Sequence, residues 1–453
     1  MLELPSNLIA LPADCYPEKV IPILSAMINA VNPETSVKDA LCLEGEVLSV
    51  DERRYDLALY DHVYLIGFGK ASILMARGVK AVLSERLTEG RIIAKTLSRT
   101  EGLENVTIYQ GSHPVPTNKS IDGAKKLVEL VSGLSERDLV ICVISGGGSA
   151  LFTYPHKGIA LEELQSLTSL LLKSGADIKE MNTLRKHIDR VKGGGLAEMI
   201  FPAPLITLVL SDVIGNPLES IASGPTTADS STYGDCIAIL EKYHLVDRAP
   251  QSIIDHLKKG FAGEIRETLK VDSQVLSAVQ NVIIGSNYKA ALAGLQMARQ
   301  TGFNSQILTT YLSGEASEAG QFLSSILKEI CSSGQPIPRP ACIIAGGETT
   351  VTVRGGGKGG RNQEVAAGAV KQLAGLQDVA MITFATDGED GPTDAAGVIV
   401  TGTTYQEGLD KQLSLEQALL ENDSYQYFAA LNRLLITGPT GTNVNDLTLL
   451  FAF

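Results

Sequence analysis

The sequence predicts an α/β protein of two domains with a largely parallel sheet. Short apolar runs alternate with amphipathic segments almost throughout, the pattern of βα units. Glycine-rich or acidic turns directly follow several of those runs, at the strand ends where open α/β sheets bind ligands. The length of 453 residues suits two or three domains of ~150 residues each.

Residues 16–31 have helical apolar spacing. VYLI (63–66) reads as a strand, followed by a turn and a helix from about 72 to 83. Strands are expected at 92–97 and 106–110, a helix at 121–134, and the most strand-like run of this half at 139–144. Helices at 161–173 and 180–200 precede the apolar strand LITLVL (205–210). After about Pro250 the texture loosens, which places an N-terminal domain at 1–255 and a C-terminal one at 275–453. In the latter, residues 281–303 read as strand, turn and helix, and 306–310 as the next strand. A helix at 315–332 leads through a proline-rich connector to strands at 342–347 and 349–353, a helix at 364–373 and a strand at 379–386.

Composition narrows the function. A formal net charge of −13 argues against nonspecific nucleic-acid or anionic-membrane binding. A negative protein that handles anions must place its cations locally, which draws attention to Lys70, Arg185, Lys192, Lys358 and Arg361. None of the six cysteines is spaced as CxxC, and Cys142 and Cys342 sit inside strand-like runs, so they read as small hydrophobes in a reducing compartment. No apolar run reaches the ~18 residues of a membrane span. The first thirty residues carry Glu3, Asp14 and Glu18 against Lys19 alone, unlike a signal or transit peptide; the cytoplasm is the expected location.

Two turns have the composition of anion cradles. In GGGKGGRNQE, five glycines bracket Lys358, and Arg361 and Asn362 stand where a helix begins. Helix N-termini offer free N–H groups and partial positive charge, so Lys358, Gly359 and Gly360 are candidate phosphate ligands. A hairpin tip with solvated cations would not need five glycines. SGGGSA supplies Ser145, Gly146, Gly147, Gly148 and Ser149 but lacks the GK[ST] ending of a P-loop. GFGKAS places Lys70 on a glycine turn; it lacks the third glycine of a dinucleotide fingerprint, and no acid follows for a ribose.

The acidic turns offer the opposite chemistry. TDGEDGPTD gathers Asp387, Glu389, Asp390 and Asp394, suited to Mg²⁺ or to orienting a hydroxyl, without EF-hand spacing. Asp212 follows a strongly apolar strand and is the leading single catalytic carboxylate, while Glu348 lies between two expected strands. His113, in GSHPVP, sits in a turn among prolines. Arg185 and Lys192, seven apart, would share one face of a continuous helix.

Taken together, GFGKAS, GSHPVP, VISGGGSALF, NTLRKHIDRVKGGGLA, LVLSDVIGNPLESIASGPT, AGGETTVTVRGGGKGGRNQE, TDGEDGPTDAAG and TGPTGTNVNDL resemble the class II glycerate kinases. The motifs run in family order from about Gly67 to Leu447, in wording closest to animal members. The resemblance implies a Rossmann-like N-terminal domain with a mostly parallel sheet, a separate MOFRL-type α/β C-terminal domain, and an active-site cleft between them. It implies ATP-dependent phosphorylation of D-glycerate, usually giving 2-phosphoglycerate, with Mg²⁺. Lys70 and Arg361 match the lysine and arginine usually proposed at that family's active site. Asn216 stands where relatives commonly have aspartate, so it is left out of the metal set.

On this reading Lys70, Asp212 and Arg361 are catalytic. Ser145–Ser149 and Lys358–Gly360 bind nucleotide phosphates, and His113, Arg185, Lys192 and Asn362 bind substrate. Asp387, Asp390 and Glu348 are the metal candidates, with either Asp212 or Asp387 orienting the attacking hydroxyl. The expected partners are ATP and D-glycerate, in a monomer or homodimer. An NAD(P)H-dependent hydroxypyruvate reductase and a non-catalytic sugar- or nucleotide-binding regulator are the rival readings.

Overall fold

The computed structural model describes residues 13–453; the first twelve, which include Glu3 and the start of the expected N-terminal domain, lie outside the described residues. The chain divides into two compact units, one of residues 33–284 and one joining residues up to Asn32 with 285–453.

In the unit of 33–284, a three-stranded antiparallel sheet comes first, of β1 (Cys42–Glu44), β2 (Val47–Val50) and β3 (Arg53–Asp56). The main sheet contains β4 (His62–Phe68), β5 (Glu89–Ala94), β6 (Val106–Gln110), β7 (Asp138–Ile144), β8 (Leu205–Leu210) and β9 (Val279–Gly285). Its order is β6-β5-β4-β7-β8-β9, with parallel pairing from β6 through to β8. Numbered along the chain, this is the 3-2-1-4-5-6 order of a doubly wound sheet. Every residue of β7 and β8 is buried, as strands covered on both faces require. The order reverses between β4 and β7, whose last residues, Phe68 and Ile144, are register partners. The turns at Lys70 and Ser145–Ser149 therefore leave adjacent strand ends at the switch point, where such sheets bind ligands.

The second unit has a different sheet. It orders β10 (Asn304–Leu312), β11 (Ala341–Gly347), β15 (Asp446–Ala452), β12 (Val379–Ala385), β13 (Gly397–Thr401) and β14 (Leu434–Leu435). Only β10 and β11 pair in parallel; the other neighbours are antiparallel. Strand β15, from the end of the chain, inserts between β11 and β12, which sets Asp446 opposite Gly347 and Ala385.

Three expectations need correction. The helix Pro17–Asn29 belongs to the second unit, where Met27 packs on Gly294 so closely that a Cβ there would overlap it. Strand β9, expected to open the second domain, completes the first unit's sheet, so the division falls at Ile284/Gly285 rather than between 255 and 275. TTVTV (349–353) is not a strand: Thr350 alone bridges Glu315, because β11 ends at Gly347. Cys142 and Cys342 are buried free thiols, and no helix of the described residues is long and apolar enough to cross a membrane.

Candidate active site

A cavity of about 630 Å³ opens at the switch point of the first unit. The turn Gly146–Ser149, His113, Asp212, Arg185 and Lys192 line it, with Leu164, Leu167, Leu171 and Met181 as an apolar wall. Lys70 joins them through the backbone: its N–H donates to Gly146 O at 2.9 Å, and its Cγ would lie 3.4 Å from a Cβ on Gly147. These residues are spread over about 140 positions of the chain, from Lys70 to Asp212; the parallel sheet brings them to one place.

Two glycines make the convergence possible. Gly147 has φ 81°, a left-handed conformation that strains other residues, and a Cβ there would meet His113 Cδ2 at 2.9 Å. A Cβ on Gly146 would overlap the carboxylate of Asp212. Asp212 thus packs against bare backbone at the end of β8. Asn216, in the same loop, has φ 55°, a conformation asparagine tolerates better than most residues.

Electrostatics sort these groups. Burial, reinforced by the Lys70 and Lys95 cations, lowers His113 to about 4, so its imidazole is neutral at pH 7. Burial also lowers the Arg185 pKa, and among the described residues no carboxylate pairs with it; its Nη1 lies 3.5 Å from Asn182 Oδ1. Lys192 is different. Its ammonium is sealed against Asp189 Oδ2 at 2.7 Å and Phe152 O at 2.9 Å, and burial lowers its pKa against the pull of Asp189. The expected common helical face with Arg185 does not form either. That helix spans Ile178–Ile188 and stops where Asp189 turns extended to accept from Tyr154 N–H and Val191 N–H. Ser145 is likewise structural, its hydroxyl accepting from Ala71 N–H at 2.9 Å.

The remaining candidates gather in the second unit. Arg361 opens the helix Arg361–Leu373; its Nη1 pairs with Glu348 and its Nε lies 2.5 Å from Asp446 Oδ2. Burial opposes the guanidinium charge, but the two carboxylates outweigh it and raise the arginine pKa; burial lifts Asp446 to about 7 despite Arg361. Asp446 was not among the expected site residues, since nothing local marks a carboxylate opening a C-terminal strand. The helix N-terminus is closed to a ligand phosphate, because Asp390 accepts from Asn362 N–H at 3.1 Å and Gln363 N–H at 2.9 Å. Asn362 Nδ2 donates to the same carboxylate at 3.2 Å. Gly355, Gly357, Gly359 and Gly360 have no left-handed φ; a Cβ on each would overlap Glu421, Asp423, Ser424 and Asp390 respectively. They serve close packing. Lys358 extends over the Tyr425 ring at 5.6 Å.

The metal candidates do not converge. Asp390 caps a helix, Glu348 holds Arg361, and Asp387 accepts from Glu389 N–H at 3.1 Å. Among the described residues no three histidine, cysteine, aspartate or glutamate side chains gather to hold an ion.

A doubly wound sheet with a cavity at its switch point is the arrangement in which α/β proteins bind small molecules. The pattern described as "Domain of unknown function (DUF4147)" matches residues 19–258, and that of the MOFRL family matches 341–446. The "Glycerate 2-kinase" of Pyrococcus horikoshii is 42% identical over 94% of this chain and 95% of its own length. The "D-glycerate 2-kinase" of Thermotoga maritima is 43% identical, covering 94% of this chain and 96% of that protein. A solved glycerate kinase structure from Thermotoga maritima superposes with a TM-score of 0.86 at 42% identity, covering 96% of this chain and 99% of that one. The animal likeness is present at lower identity, 34% to the human "Glycerate kinase" over 96% of this chain and 92% of that protein. A "Putative hydroxypyruvate reductase" from Agrobacterium vitis is 36% identical over 84% of this chain and 85% of its own. The chain belongs to the glycerate kinase family of DUF4147–MOFRL architecture.

Proposed function

We propose that the protein transfers the γ-phosphoryl group of ATP to the 2-hydroxyl of D-glycerate, with Mg²⁺ accompanying the nucleotide. One observation carries this reading: Lys70, Asp212 and Arg185 gather around the Gly146–Ser149 turn at a cavity on the sheet's switch point. Relatives sharing this architecture are named glycerate 2-kinases.

Phosphoryl transfer asks the protein chiefly for positioning and charge stabilisation. The backbone amides of Gly146–Gly148 and the Lys70 ammonium bind the ATP phosphates. Arg185 binds the acceptor's carboxylate. Asp212 orients the attacking hydroxyl and takes its proton as the new oxygen–phosphorus bond forms and the β,γ-bridging oxygen leaves with ADP. Neutral His113 adds no further charge beside Lys70, and the leucine wall limits water that would otherwise compete as acceptor. Mg²⁺, when bound with the nucleotide, would supply charge neutralisation to the phosphates; the trio of Asp387, Asp390 and Glu348 does not fit as its seat, since Asp390 caps a helix and Glu348 holds Arg361. Arg361 steadies the transferring phosphoryl oxygens or the acceptor's carboxylate only if that anion displaces Glu348 or Asp446 from it.

Phosphorus NMR of the product from ATP, Mg²⁺ and D-glycerate tests the reading. A doublet from the single C2 proton is the expected result; a triplet from a methylene overturns the regiochemistry, and no glycerate-dependent product overturns the kinase. The reductase reading has less support, since the residue after β5 is Lys95 rather than an acid that would hold a ribose. Steady absorbance of NADH in the presence of hydroxypyruvate is the expected outcome.

A further inference from the structure

We propose that Asn182, oriented by Ser223, completes with Arg185 the seat for the acceptor's carboxylate and so selects hydroxy acids over neutral polyols; this rests on the kinase reading above. Neither Asn182 nor Ser223 carries any chemical signature in the sequence. The structure places both beside the one cavity-lining arginine that lacks a carboxylate partner among the described residues.

Arginine can only donate, so the atom of Asn182 lying 3.5 Å from Arg185 Nη1 must be the amide oxygen. That oxygen also faces Ser223 Oγ at 3.2 Å, and the serine must therefore donate its proton to it. Ser223 Oγ in turn lies 3.1 Å from Ser149 Oγ, which leaves Ser149 as the donor there. A single direction of hydrogen bonding thus links the glycine turn to Arg185, fixed at one end by the guanidinium. Its consequence is at Asn182 Nδ2. Asn182 is only 5% exposed and lines the cavity, yet its Nδ2 has no protein acceptor among the described residues. An amide donor open to the cavity beside a partly buried cation suits an oxyanion.

Ser223 is held for this purpose by unusual backbone. It has no exposed surface and φ 63°, and Ala222 before it has φ 51°, both left-handed and strained for these residues. The carbonyl of Ser223 accepts from Gly193 N–H at 3.0 Å, and that of Gly224 from Gly194 N–H at 2.7 Å, so the strained segment is anchored by the triple-glycine turn. Ser223 is a positioning residue: it fixes which end of the Asn182 amide faces the cavity.

A carboxylate and a nucleotide phosphate share this oxyanion chemistry, and kinetics on the full-length protein separates them. Glycerol presents hydroxyls like those of D-glycerate without the carboxylate. Asn182→Ala is expected to raise KM for D-glycerate by roughly 10-fold or more, the worth of one hydrogen bond to a charged group, with KM for ATP within about twofold. The glycerate-to-glycerol ratio of kcat/KM falls in step. Ser223→Ala is expected to raise KM for D-glycerate about threefold to tenfold while kcat and KM for ATP hold, because the freed amide loses only part of one bond. A purely structural serine would lower thermal stability and leave KM unmoved. If Asn182→Ala does not fold, Asn182→Asp keeps the shape and sets a like charge against the carboxylate, giving a larger KM increase. Calorimetric titration of D-glycerate without ATP separates this proposal from the kinase reading. Wild-type binding that weakens in the Asn182 variants sustains the seat even without turnover. A raised KM for ATP with D-glycerate unaffected, or equal D-glycerate binding by wild type and variants, overturns it.

Discussion

The turn at Ser145–Ser149 and the loop at Gly355–Gly360 read almost alike in sequence, each glycine-rich and each preceding a helix. In the first, glycines draw Asp212, His113 and Lys70 together around backbone that faces a cavity. In the second, they let the chain lie flat on Glu421–Ser424 and on Asp390, which already caps the helix beyond. The cations differ in the same way. Arg185 has no carboxylate partner among the described residues, whereas Arg361 is held by Glu348 and Asp446. Glycine content reports that something approaches the backbone closely, but not whether it is a ligand or the protein itself.

The largest expected effect tests the cavity side. Lys70→Ala and Asp212→Asn should each lower kcat by ~10³-fold, the scale of removing one charge-stabilising or proton-accepting group. Melting temperatures should stay within a degree or two of wild type. Unchanged turnover in both variants would remove these residues from the chemistry. Arg361→Ala should behave otherwise: it leaves Asp446 buried without its cation, at a cost of roughly 2–4 kcal/mol in stability measured by denaturant titration. Loss of activity without loss of stability would mean that Arg361 resembles Lys70 more than its two carboxylate partners suggest.

Substitutions at the glycines sharpen the contrast. Gly146→Ala must push the Asp212 carboxylate aside and is expected to lower kcat by ~10²-fold with modest change in melting temperature. Gly360→Ala must displace Asp390 from the helix N-terminus, costing about 1–2 kcal/mol in stability. Matching outcomes at the two sites, read by kinetics and calorimetry together, would erase the distinction between the turns.

Much of the first unit was legible because each strand and its following turn are adjacent in the chain. Strands β4, β6, β7 and β8 and the helices at 72–83 and 161–173 fall where apolar runs and helical spacing put them, while β5 lies three residues earlier than the expected 92–97. The second unit resists that logic. Its middle strand β15 comes from the chain end, and the buried helix cap Asp390 acts on residues 28 and 27 positions earlier. An acid among acids reads as a metal ligand until the helix it caps is known. TTVTV has high strand propensity but makes a single bridge, so propensity without a partner strand decided nothing. Asn182 and Ser223 stayed invisible because amide and hydroxyl residues are common; only their burial and mutual distances give them meaning.

The smallest expected effect separates the two units by pH. Glu364, buried near Asp390 and Glu315, has its carboxyl raised to about 7, chiefly by burial and then by those charges, while Asn422 Nδ2 donates to it at 3.4 Å. A carboxyl raised above its ordinary value of about 4.5 favours folding fully below that pH, and the contribution is lost as pH rises through 7. His113 has the opposite sign: held down at about 4, it contributes stability above its ordinary 6.5 that disappears as pH falls through 4. Glu364→Gln should therefore stabilise the protein by about 1–2 kcal/mol at pH 8 and by much less at pH 4.5, with part of the alkaline slope remaining because Asp446 also titrates near 7. Replacing His113 by asparagine should instead flatten the acid limb between pH 6.5 and 4 and leave the alkaline limb alone. Denaturant midpoints measured across that range decide it, since equal shifts at both ends would mean that neither group is set by the burial and charges described for it.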